Sequence, residues 1–138
     1  MTFATELAAD RREDDTTEYD EWQPVEPSLV DEVIGRMDQH RHTETTLEGP
    51  DWWFALIGGG DGAYVVSIEN QMTGVRYQLV NLLRSDEESI EVVTGGQLGR
   101  FPARLVVGRD VAVQAACHFA EIGKPDPSLE WIEEHSAS

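Results

Sequence analysis

Residue types able to do chemistry gather in four stretches of this sequence. Gly58-Gly59-Gly60-Asp61-Gly62 has the glycine density of a phosphate-binding loop. His40, His42 and Glu44 alternate as ligands on one side of a strand would, and Cys117 stands beside His118. Asp86, Glu87, Glu88 and Glu91 cluster as carboxylates do for acid–base work or cation binding. Each stretch lacks what its chemistry requires. No Lys-Ser/Thr pair and no helix pattern follows the glycines, so a hairpin loop accounts for them. The histidines sit at a helix exit with no fourth ligand, which leaves a solvated strand face. Adjacent helical residues do not face one another, so Cys117 and His118 make no nucleophile pair. The acids lack the Gly-spaced oxygen ligands of a cation loop and read as a solvated loop or, second, as a docking surface for Arg and Lys of a partner. No enzyme class, metal site or cofactor gains support.

The elements that would carry these residues are marked most clearly from Gly108 to Trp131. Asp110 has the side chain of a helix cap, and Gly123 followed by Lys124-Pro125 supplies the stop. Between them Val111, Ala115, Ala116, Phe119 and Ile122 recur at spacings of three and four, a stripe that needs a sheet to cover. Gln114, His118 and Glu121 fall off that stripe. Pro125 and Pro127 then turn the chain so that Leu129 or Trp131 packs back on the core.

Length, cysteine count and charge bound the rest. The 138 residues fit one domain, and a folded part of about 110 residues buries roughly two thirds of its unfolded surface. Cys117 is the single cysteine, so an intrachain disulfide and a cysteine-rich metal site are excluded. The start MTFATELAADRREDD lacks the basic and apolar regions of a signal peptide, and no stretch reaches membrane-span length; a soluble cytoplasmic protein is expected. Acidic residues number 27 against 10 basic, a net charge of −17 that repels nucleic acid and anionic lipid and attracts a basic partner. On charge alone, acidity for solubility is the simpler account.

Taken in order, residues 1–27 hold nine acids and two bases and few apolar groups, which predicts a mobile or loosely docked acidic arm, with Tyr19 and Trp22 as its anchors on the body. Residues 28–138 form the expected domain. Ser28 and Asp31 have capping-box spacing, and Val30, Val33, Ile34 and Met37 form the buried stripe of a helix ending near His40. HTETTLEG alternates, placing Thr43, Thr45 and Leu47 on one face and Glu44, Thr46 and Glu48 on the other. WWFALIGG and AYVVSIEN flank the glycine hairpin, VRYQLVNLL continues the meander, and RSDEES is an acidic loop before the strand IEVVTGG. QLGRFP reads as irregular and ARLVVG as the last strand. On a strand, Trp52 and Trp53 point to opposite faces, so one is core and the other lies either under a helix or exposed, where it would be a candidate interface anchor. The fold class is α+β: an antiparallel β-meander sheet packed by an N-terminal and a C-terminal helix, with an acidic N-terminal arm.

From about Leu29 to Glu133 the chain resembles the first-named immunity-protein family of bacterial polymorphic toxin systems. The likeness lies in VDEVIGRMDQHRHTETTL, WWFALIGGGDGAYVVSI, GGQLGRFPARLVV and, most specifically, AACHFAEIGKPDPSLEW. It implies a non-enzymatic protein, made beside a toxin, that binds the toxin domain and prevents self-killing; deaminases and nucleases acting on nucleic acid are prominent among such toxins. The residues before Pro27 lie outside the likeness. Gly123, Pro125 and Trp131 carry over as structural. A basic toxin groove would be met by Asp86, Glu87, Glu88 and Glu91, with Asp61 and Glu69 as second choices, in a one-to-one complex. Two other classes stay open: a small enzyme or ligand-binding domain, which a stabilising small molecule would reveal, and an acidic nucleic-acid mimic, which several unrelated basic partners would reveal.

Overall fold

Along WWFALIG every second side chain is large and apolar, and the fold converts that alternation into two unlike faces of one sheet. The computed structural model describes residues 3–13, 16–60, 62–85, 87–94 and 97–135. In chain order the elements are β1 (Glu6–Glu13), β2 (Thr16–Trp22), α1 (Pro27–Gly35), β3 (Glu44–Glu48), β4 (Trp52–Gly58), β5 (Tyr64–Asn70) and β6 (Val75–Leu79). There follow β7 (Ser89–Thr94), β8 (Gln97–Pro102), a 3-10 turn (Ala103–Leu105), α2 (Arg109–Ile122) and β9 (Trp131–His135). Seven strands form an antiparallel sheet in the order β2-β1-β3-β4-β5-β6-β9, and β7 pairs with β8 apart from it. The chain is α+β, with β3 to β6 as the expected meander.

Both helices share one core with one face of the sheet. Leu7, Leu47, Phe54, Leu56, Val66, Ile68 and Leu79 are buried there with Val30, Val33, Ile34 and Met37 from α1 and its exit. Large side chains so buried contribute about 1.5–3 kcal/mol each. Helix α2 brings Ala112, Ala115, Ala116, Phe119 and Ala120, and the alanines let it lie close enough for Phe119 to reach Phe54, ring centroids 5.6 Å apart. Ile122, expected on this stripe, is instead exposed, because the stripe drifts toward Ala112 and Ala120 as the helix turns.

Both helix starts differ from the expected caps. Gly108 is the N-cap of α2, and Asp110 lies inside the first turn, where its charge complements the helix dipole. Glu26 is the N-cap of α1, Pro27 takes the first helical position, and Ser28 makes no capping hydrogen bond. Helix α1 also ends sooner than His40. The Asp38 carboxylate accepts the backbone N–H groups of His40, Arg41 and His42, and this local turn competes with further helix. The end of α2 follows expectation: Gly123 adopts φ 79° and donates its N–H to the Phe119 carbonyl at 2.8 Å. Beyond it, Leu129 and Trp131 pack on the core, and the Trp131 indole N–H donates to the Asp126 carbonyl.

The acidic segment is where structure and expectation part most. Rather than a loose arm before residue 28, it supplies two strands, with β1 inserted between β2 and β3. Leu7 is fully buried, and Ala4 and Ala9 join the core. Part of the charge is met locally, since the Arg11 guanidinium meets Glu13, Glu18 and Asp20 at 3.2, 2.8 and 3.3 Å. Asp10 is buried and accepts the N–H groups of Thr43 and Glu44 and the Thr43 hydroxyl. Of the two aromatics, Trp22 packs on the core with Arg36 over its ring, while Tyr19 stays exposed.

Two further expectations are corrected near the C-terminus. QLGRFP is strand β8, paired along its length with β7. ARLVVG is the 3-10 turn plus a single bridge from Val107 to Tyr64, and the last strand is β9, which closes the sheet against β6. The β7–β8 hairpin crosses to the face away from the helices, where Val92 is buried with Val65 and Val106 and beside Ile57 and Phe101.

Leu7→Ala should lower the unfolding free energy by about 2–5 kcal/mol in urea titration, whereas a side chain on a loose arm would leave it unchanged. Gly123→Ala should cost about 2 kcal/mol or more, because it places a side chain at positive φ and its Cβ would meet the Phe3 ring.

Candidate functional site

Period-two geometry sends every residue not committed to the helical core to the opposite face, and antiparallel register lines those residues up across strands. One row reads Glu6, Glu48, Trp53, Glu69, Arg76, Glu134 from β1 to β9. The next row is Ala8, Thr46, Ala55, Ser67, Gln78, Ile132, small side chains over its first four members. The third begins Glu44, Ile57, Val65, the last two roofed by the β7–β8 hairpin. A row of acids around one Trp therefore runs beside a row of small residues on the same face. Phe101 and Leu105 form its wall, and the resulting open groove of about 490 Å³ takes in Trp53, Ser67, Glu69 and Arg76.

The two tryptophans divide as alternation requires. Trp52 packs on the main core and stacks on Tyr77 with centroids 6.1 Å apart, and Trp53 lies half-buried in the groove. Among the described residues Glu48, Glu69 and Glu134 carry no ion pair. Arg76, which register sets between Glu69 and Glu134, donates instead to the Gln78 side chain at 3.3 Å. The groove thus presents unneutralised carboxylates beside an aromatic face.

The acids singled out from sequence fall on different surfaces. Glu69 lines the groove. Glu87 and Glu88 are exposed before β7, and Glu91 is exposed on β7, 3.5 Å from Arg100. Since Ile90 and Val92 pack inward, Glu91 points to the hairpin's solvent side. Asp61 and Asp86 lie outside the described residues. Glu48 and Glu134 escaped sequence reading because their nearness to Trp53 and Arg76 is a property of register, and only the alternation of β3 hinted at the first.

The other chemical candidates are occupied by structural work. In the glycine loop Gly59 and Gly60 donate their N–H groups to the Ala63 and Met37 carbonyls, so these amides are not free to cradle an anion. His42 sets Nδ1 3.0 Å from the Asp10 carbonyl, and among the described residues no three His, Cys, Asp or Glu side chains converge as a metal site would require. Burial, then the charges of Asp31 and Glu121, push the Cys117 thiol up, opposite to an activated nucleophile. His118 faces Asp126 at 4.0 Å rather than Cys117. At Asp126 burial is outweighed by hydrogen bonds from Ser128 and Gln114, which hold the carboxyl below its usual range and tie the proline turn to α2. The open, acid-lined groove suits recognition of a cationic surface.

A family model described as Immunity protein Imm1 matches residues 14–133, and so reaches into the acidic segment that the sequence likeness left out. Comparison with curated proteins and with solved structures finds no match.

Glu44, beside Asp10 at one end of this face, provides a pH signature. Burial and then the Asp10 charge raise its carboxyl above the ordinary 4.5, so the fold favours its protonated form. Stability from this group is therefore lost as pH rises from that ordinary value through the raised one. Glu44→Gln should raise the melting temperature at pH 7, and thermal melts below about pH 4 should show the advantage gone; an equal gain at both pH values would mean that charge burial is not its cause.

Proposed function

Because the chain belongs to the Imm1 family of immunity proteins, we propose that it binds and neutralises a cognate bacterial polymorphic toxin that acts on nucleic acid, a deaminase or a nuclease, and so protects the cell that makes both. The observation that carries this reading is the uncovered, acid-lined sheet face on a chain of net charge −17. A protein that handles nucleic acid needs a basic groove, and an acidic inhibitor meets such a groove with charge-assisted hydrogen bonds. Neutralisation in this reading is stoichiometric, by a monomer in a one-to-one complex, and takes place in the cytoplasm, where the toxin would find its substrate. The same charge keeps the inhibitor off nucleic acid and anionic membrane. No helix among the described residues is long and apolar enough to cross a membrane.

Within this reading the exposed acids Glu87, Glu88 and Glu91, with Asp86 and Asp61, act at long range: they draw the basic partner in and orient it before contact.

Co-expression with the toxin domain encoded beside this chain should restore growth, and the two should co-purify. Growth arrest despite well-folded protein would reject the reading, and capture of several unrelated basic proteins with similar affinity would favour a broader nucleic-acid mimic. Neutralising Asp86, Glu87, Glu88 and Glu91 together should slow association about tenfold at low salt and flatten its salt dependence. An unchanged association rate would remove these acids from the encounter surface.

A further inference from the structure

Attraction at a distance does not hold a complex together once formed; residence depends on a desolvated anchor near the centre of the interface. One place on the uncovered face has the composition of a socket for such an anchor. Trp53 stands in register with Glu48 on one side and Glu69 on the other, so the two carboxylates flank the indole on neighbouring strands. Directly paired residues in antiparallel sheets have Cβ atoms about 4.5–5.5 Å apart, so these acids reach the two edges of a group lying on the ring. Neither carboxylate has an ion pair among the described residues, although Arg76 stands next to Glu69 in the row. The neighbouring row, with Thr46, Ala55 and Ser67, leaves room for the backbone of an approaching chain.

Resting on the immunity reading above, we propose that Glu48, Trp53 and Glu69 form a receptor for one arginine side chain of the toxin. Its guanidinium lies flat on the Trp53 ring, and its N–H donors reach the carboxylates at either edge. Arginine fits this frame better than lysine. It is planar, stacks on an aromatic face, is more weakly hydrated than an ammonium, and carries donors fixed in a fork that two carboxylates can share. Phe101 and Leu105 line the groove together with Trp53 and Glu69, while Glu48 stands exposed outside it, so the hydrogen bonds at Glu69 are the better shielded from water and the stronger. The occupant is a protein segment rather than a small ligand because the groove is open and its charges are spread along a strand-crossing row.

The test uses the full chain and its neighbouring toxin, made catalytically inert, with dissociation followed directly. Glu48→Gln with Glu69→Gln should speed dissociation about tenfold or more while changing association far less and leaving the melting temperature in place. Trp53→Phe should keep part of the residence time, and Trp53→Leu, apolar but without a ring face, should lose it. In NMR spectra of the complex one toxin arginine should show its δ-methylene shifted upfield by the indole ring, and the shift should vanish with Trp53→Leu. If the wild-type protein binds tightly while the Gln pair dissociates within about twofold of it, the socket is wrong and the immunity reading survives. A shifted lysine ε-methylene in place of arginine would overturn the arginine assignment. Absence of any wild-type binding would remove the immunity reading and this proposal together.

Discussion

Everything on the uncovered face depends on what is fixed beneath it. Phe119 of α2 packs against Phe54, and Leu7, Leu47, Leu56, Val66 and Ile68 fill the space around them, so the helices hold one face of the sheet by the full weight of the apolar core. Because side chains alternate strictly along a strand, this decides the other face as well. A slip of one residue in β4 would send Trp53 inward and Phe54 out, and would leave Glu48 and Glu69 without an aromatic ring between them. The register that stabilises the molecule is therefore also what aligns Glu48, Trp53 and Glu69.

Charge is distributed with the same economy. Arg11 gathers three carboxylates on β1 and β2, Asp10 is buried but accepts hydrogen bonds from Thr43 and Glu44, and Asp38 and Asp126 each satisfy a turn. These acids serve local structure. Glu48, Glu69 and Glu134 have no such task among the described residues, and they share the face that the helices leave open.

Local periodicity made much of this legible in sequence. The stripe of α1, most of that of α2, the Gly123 stop, the alternation of β3 and the opposed tryptophans each follow from spacing within one segment, and each is found. The failures come from interactions between segments. Residues 6–22 look too acidic to fold, yet a strand needs apolar groups only on its inner face, and Leu7 and Ala9 suffice once β3 offers its edge. Strand β9 is short and acidic, and it exists because β6 is there to pair with it. The cap at Ser28 gave way to Pro27, whose fixed φ suits the first helical position. The groove was hidden for the same reason as the strands: Glu69 was named for its charge, but its relation to Trp53 and Glu48 appears only when three strands lie side by side.

The contact between the segment before β1 and the end of α2 has a consequence for how the fold assembles. Phe3 and Ala4 donate their backbone N–H groups to the carbonyls of Glu121 and Ala120, and the Phe3 ring meets Phe119 edge-on. The segment before β1 thus finishes the final turn of α2, and β9 closes the sheet against β6. Contacts so distant in sequence are slow to find and favourable only when complete. The inner face of the sheet is therefore sealed only when segments far apart in sequence have met, so partial folds leave apolar core open to water.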